Sequence, residues 1–444
     1  MQYLPARNDN PSAALSATGF LAALTAAGGA SLMVPSKVPA LTGVEIRAMA
    51  AMPTEVLTAR LLALFAPNPE ALASAAAKAC RAAGAPAVFP LTQIAHGKWV
   101  LTAHRFPTLS FADFPAILAL EVMQALGANP RGFVASADGD IGAALIRHLA
   151  PRTTRPVVLI HPYGKLPELP RRVMTTCGLP NVHILAAEGG MDEAHAMARA
   201  AAARFGWTAV DDTNIMWTLA WLAPIFQAAL ALGAPEREVS FAVSDPQGTF
   251  AAAAVLARRM GLNVGITQAE GAAWEEFSAH ATLPAPRSSA GATVRPANME
   301  RLLHFAAPGD RAAGLFLDDP LRPLSSEAFA AVSRRVRGAR VPDTERSDAV
   351  RAVWETHGLR LSDGGAAAVV LARDAQGIAV AADATDPIKD ARAWTAATKE
   401  QPRLPQALAS VQSSSSKEKL TVVRNLDAIA KYMETHFPAK ETKK

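Results

Sequence analysis

Apolar residues in the first hundred positions recur every third or fourth place. Over 44–66 and 69–83 this spacing predicts two amphipathic helices, and the uncharged run 13–27 predicts a third before the turn Gly28-Gly29. Residues 1–95 are therefore expected to form a mainly helical N-terminal lobe. From Lys98 onward the pattern changes to short apolar runs alternating with longer amphipathic ones. The runs 99–103, 132–136, 156–160, 182–186, 209–211, 239–243 and 263–266 read as strands. The stretches 115–126, 141–149, 167–177, 192–205, 216–232 and 249–260 read as the helices between them. Strands apolar on both sides imply a parallel sheet covered on both faces, so the expected class is α/β with at least two wound units.

Further along, 366–371 and 377–381 read as a last strand pair. The Pro/Ser/Gly-rich stretch 284–296 reads as a surface loop, and 413–416 as a hinge before a final helix over 418–436. Three regions result: a lobe over 1–95, an α/β region of two subdomains over 96–410, and a hinge with its helix over 411–444.

With 444 residues, 50% of them hydrophobic and 19% charged, the chain is long enough for two or three cores. The net charge of +5 is spread among interspersed acids and bases, apart from a basic tail, so no nucleic-acid surface is expected. Cys80 and Cys177 lie far apart without CxxC spacing, which argues against a disulfide framework or a zinc site and fits a reducing cytoplasm. The uncharged segment 12–35 is rich in Ser, Thr, Gly and Ala and is broken by Gly28-Gly29, so no membrane span is expected. The 10 histidines form no HExxH or other metal-ligand spacing, and no nucleophile elbow is present.

The run Phe106-Pro107-Thr108-Leu109-Ser110-Phe111-Ala112-Asp113-Phe114 resembles the signature of the threonine synthases. Those are pyridoxal-phosphate (PLP) enzymes that convert O-phosphohomoserine to threonine and phosphate. The resemblance implies a fold-type II, tryptophan-synthase-β-like architecture: three-layer α/β with parallel sheets and a helical N-terminal lobe. It runs in order along nearly the whole chain, including Met174-Thr175-Thr176, Glu188-Gly189 and Asn298-Met299-Glu300-Arg301. Ala112 stands where the family has the lysine that holds PLP as a Schiff base. A lysine is needed there both to present the activated aldehyde and to move protons between substrate carbons. A methyl group does neither. A lysine from elsewhere, Lys98 ahead of a strand or Lys165 in His161-Pro162-Tyr163-Gly164-Lys165, is the alternative source of the amine.

The family's other anchors are altered as well. The turn Ala137-Asp138-Gly139-Asp140-Ile141-Gly142 keeps Gly139, Asp140 and Gly142, but Asp138 adds a carboxylate. A tight strand-to-helix connection explains what remains. Where the family cradles the cofactor phosphate, this chain has Asp245-Pro246-Gln247-Gly248-Thr249; Pro246 has no N–H to offer, and only Gly248 survives, out of register. The resemblance puts Met216, Leu219 and Ala223 where Asn, Arg and Gln engage the phosphorylated substrate, with Asn214 the one polar neighbour. In the motif Asp383-Ala384-Thr385-Asp386-Pro387-Ile388-Lys389, the hydroxyl expected at the pyridine nitrogen falls on Ala384 and the family histidine on Asp386.

These changes together lead to the expectation of a catalytically inactive, threonine-synthase-like paralogue with vestigial cofactor and substrate pockets and with no cofactor or metal. Such a paralogue would bind a homologous synthase subunit or itself. The alternative is an enzyme, PLP-dependent threonine synthase or a related lyase, acting through a remodelled cleft near Asp113, Asp138, Asp140 and Asn214. The cleft itself is expected to close into apolar packing, because burying Met216 and Leu219 stabilises by roughly 1.5–3 kcal/mol each.

Overall fold

The computed structural model describes residues 1–6, 19–26, 31–84, 87–283, 295–309, 316, 322–414 and 421–438. In chain order the strands are β1 (Tyr3–Pro5), β2 (Met33–Pro35), β3 (Leu91–Ala95), β4 (Lys98–Thr102), β5 (Phe133–Ser136), β6 (Val157–Pro162) and β7 (Val182–Ala187). They continue with β8 (Thr208–Ala209), β9 (Val239–Ser244), β10 (Val264–Glu270), β11 (Val336–Ala339), β12 (Ile378–Asp383) and β13 (Thr421–Val423).

Two large sheets organise them. One has the order β11-β10-β9-β12-β4-β3, parallel except for the β3–β4 hairpin, and the other has the order β13-β7-β6-β5-β8, parallel throughout. A short antiparallel pair, β1–β2, joins the N-terminal helices. Central strands are apolar on both sides because helices cover both faces: Val157, Val158, Leu159 and Ile160 of β6 are all fully buried. The helices Gly43–Met49, Thr54–Ala63 and Pro69–Ala82 of the N-terminal lobe contribute to the same apolar core as β9 and the helix Thr249–Arg259.

Several sequence expectations need correction. The apolar run 366–371 is not a strand but the middle of a helix, Asp363–Asp374, started by the Ser362 side chain, which accepts from the Gly365 N–H at 2.9 Å. A short, almost wholly buried apolar run carries no periodicity that separates strand from helix. This helix lies so close to β12 that a Cβ on Gly365 would sit 2.3 Å from the Asp383 carboxyl carbon. The run 44–66 is two helices, because Pro53 cannot donate within a continuous helix and instead heads the second one. Likewise 216–232 divides at Trp221 into Ile215–Ala220 and Leu222–Ala231. The run 209–211 gives only the two-residue strand β8.

At the C-terminus, the final helix begins at Leu426, where Asn425 accepts from Ala428 N at 2.9 Å; 421–423 is instead the edge strand β13 on β7. Of the helix expected over 13–27, Phe20–Leu24 is helical, and 13–18 lies outside the described residues. The loop expected at 284–296 also lies largely outside them; of the hinge expected at 413–416, Ser413 ends the helix Gln406–Ser413 and 415–416 lie outside them. Among the described residues no helix is long and apolar enough to cross a membrane.

Candidate functional site

The C-terminal ends of β5, β9 and β12 converge on a cleft of about 490 Å³. Crevices outside the carboxyl ends of parallel strands are where such sheets bind ligands, since the strand-to-helix loops there point into one space. Ser110, Phe111 and Ala112 enter the cleft ahead of the helix Asp113–Ala125; Asp138, Asp140 and Ile141 come from the turn after β5, and Asp212 follows β8. The loop after β9 adds Ser244, Asp245, Pro246 and Gln247, and the loop after β12 adds Ala384, Thr385, Asp386 and Lys389. The cleft has therefore not closed into apolar packing, contrary to the sequence expectation. Its apolar wall is aromatic: Phe111 stacks on Trp221 with centroids 3.6 Å apart, and Trp217 lies beside them in the lining.

Four aspartates set its electrostatics. Asp140 accepts from Lys389 Nζ at 2.6 Å, Thr385 Oγ1 at 2.6 Å and Ser110 Oγ at 2.8 Å. Burial alone would raise the pKa of Asp140, but the Lys389 ammonium outweighs it and holds the carboxyl below its ordinary value. Asp138 sits in the turn with Oδ1 accepting from Ile141 N at 2.9 Å. Asp138 is itself exposed, but the protein packed around the turn and then the neighbouring Asp140 charge push its pKa up to about 6.

Asp212 accepts through Oδ1 from His195 Nε2 at 3.0 Å, while His195 Nδ1 donates to Met191 O at 2.8 Å. Burial would lower the His195 pKa, but Asp212 overrides it and raises the pKa to about 9, so both ring nitrogens carry protons and face acceptors. Asp212 is held from behind by Asn298, whose Nδ2 donates to the Asp212 carbonyl at 3.0 Å, and Arg301 Nη1 donates to Asn298 Oδ1 at 2.7 Å.

Asp245 occupies the start of the helix Thr249–Arg259. Thr249 N donates to its Oδ1 at 3.0 Å and Ala251 N to its Oδ2 at 2.8 Å. Burial nonetheless raises its pKa to about 6. The amides at this helix start thus already hold a carboxylate of the same chain, and Pro246 beside them has no N–H. A phosphate dianion would have to displace Asp245 and sit among Asp138 and Asp212. Ala112 and Ala384 stand in the same walls.

The remaining sequence candidates are placed as follows. Asp113 is fully buried outside the cleft lining, where Thr108 N and Thr108 Oγ1 donate to it at 2.8 Å each and His148 Nε2 contacts it at 2.6 Å. Asn214 caps the helix Ile215–Ala220: its Oδ1 accepts from Met216 N at 3.0 Å, and its Nδ2 donates to Leu24 O and Ala209 O at 2.8 Å each. Met216, Leu219 and Ala223 belong to the core and not to the cleft lining. Gly142 backs the Asp138–Asp140 turn, where a Cβ would meet Met174 Sδ at 2.1 Å, and Gly139 and Gly248 lie beside Pro170 and Trp274.

Neither expected substitute amine is in the cleft. Lys98 Nζ donates to Gly377 O at 3.2 Å, at the opposite end of β4, and Lys165 is exposed in the loop after β6. The lysine that does line it, Lys389, and the carboxylate of Asp212 were not foreseen. Lys389 closes the C-terminal motif already singled out, and the polar run Asp211-Asp212-Thr213-Asn214 after an apolar strand was the visible signal for Asp212. Among the described residues no three His, Cys, Asp or Glu side chains are gathered to hold a metal ion.

No protein-family model matches the chain. A threonine synthase from Pseudomonas aeruginosa is 33% identical over 279 residues, an alignment covering 60% of this chain and 58% of that relative. A PLP-bound threonine synthase from Brucella melitensis superposes with a TM-score of 0.82 at 25% identity, over 99% of this chain and 100% of that one. The Escherichia coli threonine synthase does so at 0.80 and 20% identity, over 98% of this chain and 100% of that one, a likeness of fold. The two parallel sheets and the cleft at their strand ends are the architecture of fold-type II PLP enzymes. In fold, this chain is similar to the threonine synthases.

Proposed function

We propose that this threonine-synthase-like chain does not form threonine from O-phosphohomoserine and holds no PLP as a Schiff base, while keeping the fold and its cleft as a binding site. The observation that carries this is Asp245, whose carboxylate takes the amides of Thr249 and Ala251 at the position where the resembling enzymes would seat phosphate. Ala112 alone would leave a defect that one substitution repairs; Asp245 makes the place itself anionic and filled. A buried carboxylate and a phosphate dianion cannot share one helix N-terminus without a large electrostatic cost.

Release of phosphate from O-phosphohomoserine in the presence of PLP tests this in the Ala112→Lys variant. No phosphate release is expected from it, and release at the rate of an ordinary synthase would overturn the reading. A cytoplasmic setting belongs to the same proposal, supported by Cys80 and Cys177, both free thiols.

A further inference from the structure

We infer that the cleft is a receptor site for a small organic cation bearing primary or secondary ammonium groups, with the Asp212 carboxylate as its principal anchor. The inference rests on the reading that PLP does not occupy this space. It starts from the charges lining the cleft. Lys389 is the cation of the lining and is already paired with Asp140, while Asp386 is met by Arg360 at 3.0 Å and Asp363 by Arg346 at 2.5 Å. Asp138 and Asp245 have no ion-pair partner among the described residues, Asp212 is met only from outside the lining by His195 at 3.0 Å, and the Asp212 charge bears on both of the others.

Asp212 carries an independent mark of a missing ligand. It is only 4% exposed, and its Oδ1 is taken by His195, yet among the described residues its Oδ2 has no hydrogen-bond donor at all. A buried carboxylate oxygen without a donor is costly, and an incoming N–H⁺ would supply the donor that His195, already on Oδ1, does not. The aromatic wall adds to the same preference, because an indole such as Trp217 in the cleft lining attracts cations. The dimensions suit an organic ion better than a metal: the cavity is about 490 Å³, and its carboxylates are not gathered into a coordination set.

Isothermal titration calorimetry of the full chain with 1,4-diaminobutane tests the inference, with magnesium chloride at the same ionic strength as control. Saturable binding with one site per chain is expected, weakened at least about tenfold in Asp212→Asn, the scale of a lost charge-assisted hydrogen bond. Absence of saturable binding to the wild type, equal binding by a folded Asp212→Asn chain, or full displacement by magnesium would overturn it. Should circular dichroism show that Asp212→Asn does not fold, Asp138→Asn takes its place with the same two outcomes, since asparagine keeps the oxygen that caps Ile141. A Schiff-base absorption band on adding PLP would instead overturn the reading of the previous subsection, and is read independently of the diamine heat.

Discussion

At the scale of single residues, the cleft is governed by where carboxylates find donors. Asp140 has Lys389 and two hydroxyls, Asp245 has the helix amides, and Asp212 has His195. The His195–Asp212 pair makes stability depend on pH. The folded His195 pKa, about 9, lies above its ordinary 6.5, so the pair's contribution is fully present below pH 6.5 and is lost as pH rises through about 9. Thermal unfolding between pH 7 and 9.5 should show a decline on the order of 2–3 kcal/mol in wild type. His195→Gln should flatten that decline; an unchanged slope in the variant would remove His195 as its source. Asp138 works in the opposite sense. Its folded pKa of about 6 lies above the ordinary 3.8, so its ionised form opposes folding above pH 6, and Asp138→Asn should raise the melting temperature at pH 7.5 but not at pH 4. A melting temperature lowered at pH 7.5 would mean that the charge is needed for the fold.

The proposal about Ala112 comes from the sequence alone, because Ala112 interrupts a run, 106–114, that otherwise resembles the threonine synthase signature. The unpartnered oxygen of Asp212 was not legible, because partnership depends on His195, seventeen residues earlier on the helix Met191–Phe205. The filling of the helix N-terminus by Asp245 was only half visible: its charge could be read, but not that its carboxylate folds back onto Thr249 and Ala251.

At the scale of elements, apolar patterning carried most of the α/β reading. Strands β4 to β7, β9 and β10 fall within a few residues of their predicted places because each is a short, bounded apolar run between amphipathic helices. The pattern failed where burial is complete. The helix Asp363–Asp374 reads as a strand because Ala366 to Val369 are all fully buried against β9 and β12, which erases any polar face. The segments around Ile215–Ala220 and Leu222–Ala231 meet at Trp221, which stacks on Phe111 and meets Phe250 edge-on at 4.9 Å. Trp221→Ala should therefore cost about 3–5 kcal/mol in chemical denaturation, the range for removing a large aromatic from a packed interior. A loss below about 1 kcal/mol would show that this aromatic wall is cleft lining without a structural role.

At the scale of the molecule, two parallel sheets hold a cleft whose lining includes Ala112, Asp245 and Ala384, the positions at which we propose that the resembling family's chemistry is lost. Those positions come from three separate stretches of chain, so the sequence showed that each differed but not that all three face one space together with Asp138 and Asp212. The same convergence explains why the expectation of a closed, apolar cleft failed. Met216 and Leu219 turn into the core, and aspartates line the cavity instead.

The central claim is that this space no longer takes PLP as a Schiff base, and the most direct measurement is the visible absorption spectrum of the full chain titrated with PLP, followed by borohydride reduction and peptide mapping. No stable visible band and no reduced lysine adduct in the cleft are predicted. A saturable band that borohydride fixes onto Lys389, the one lysine of the cleft lining among the described residues, would contradict the account.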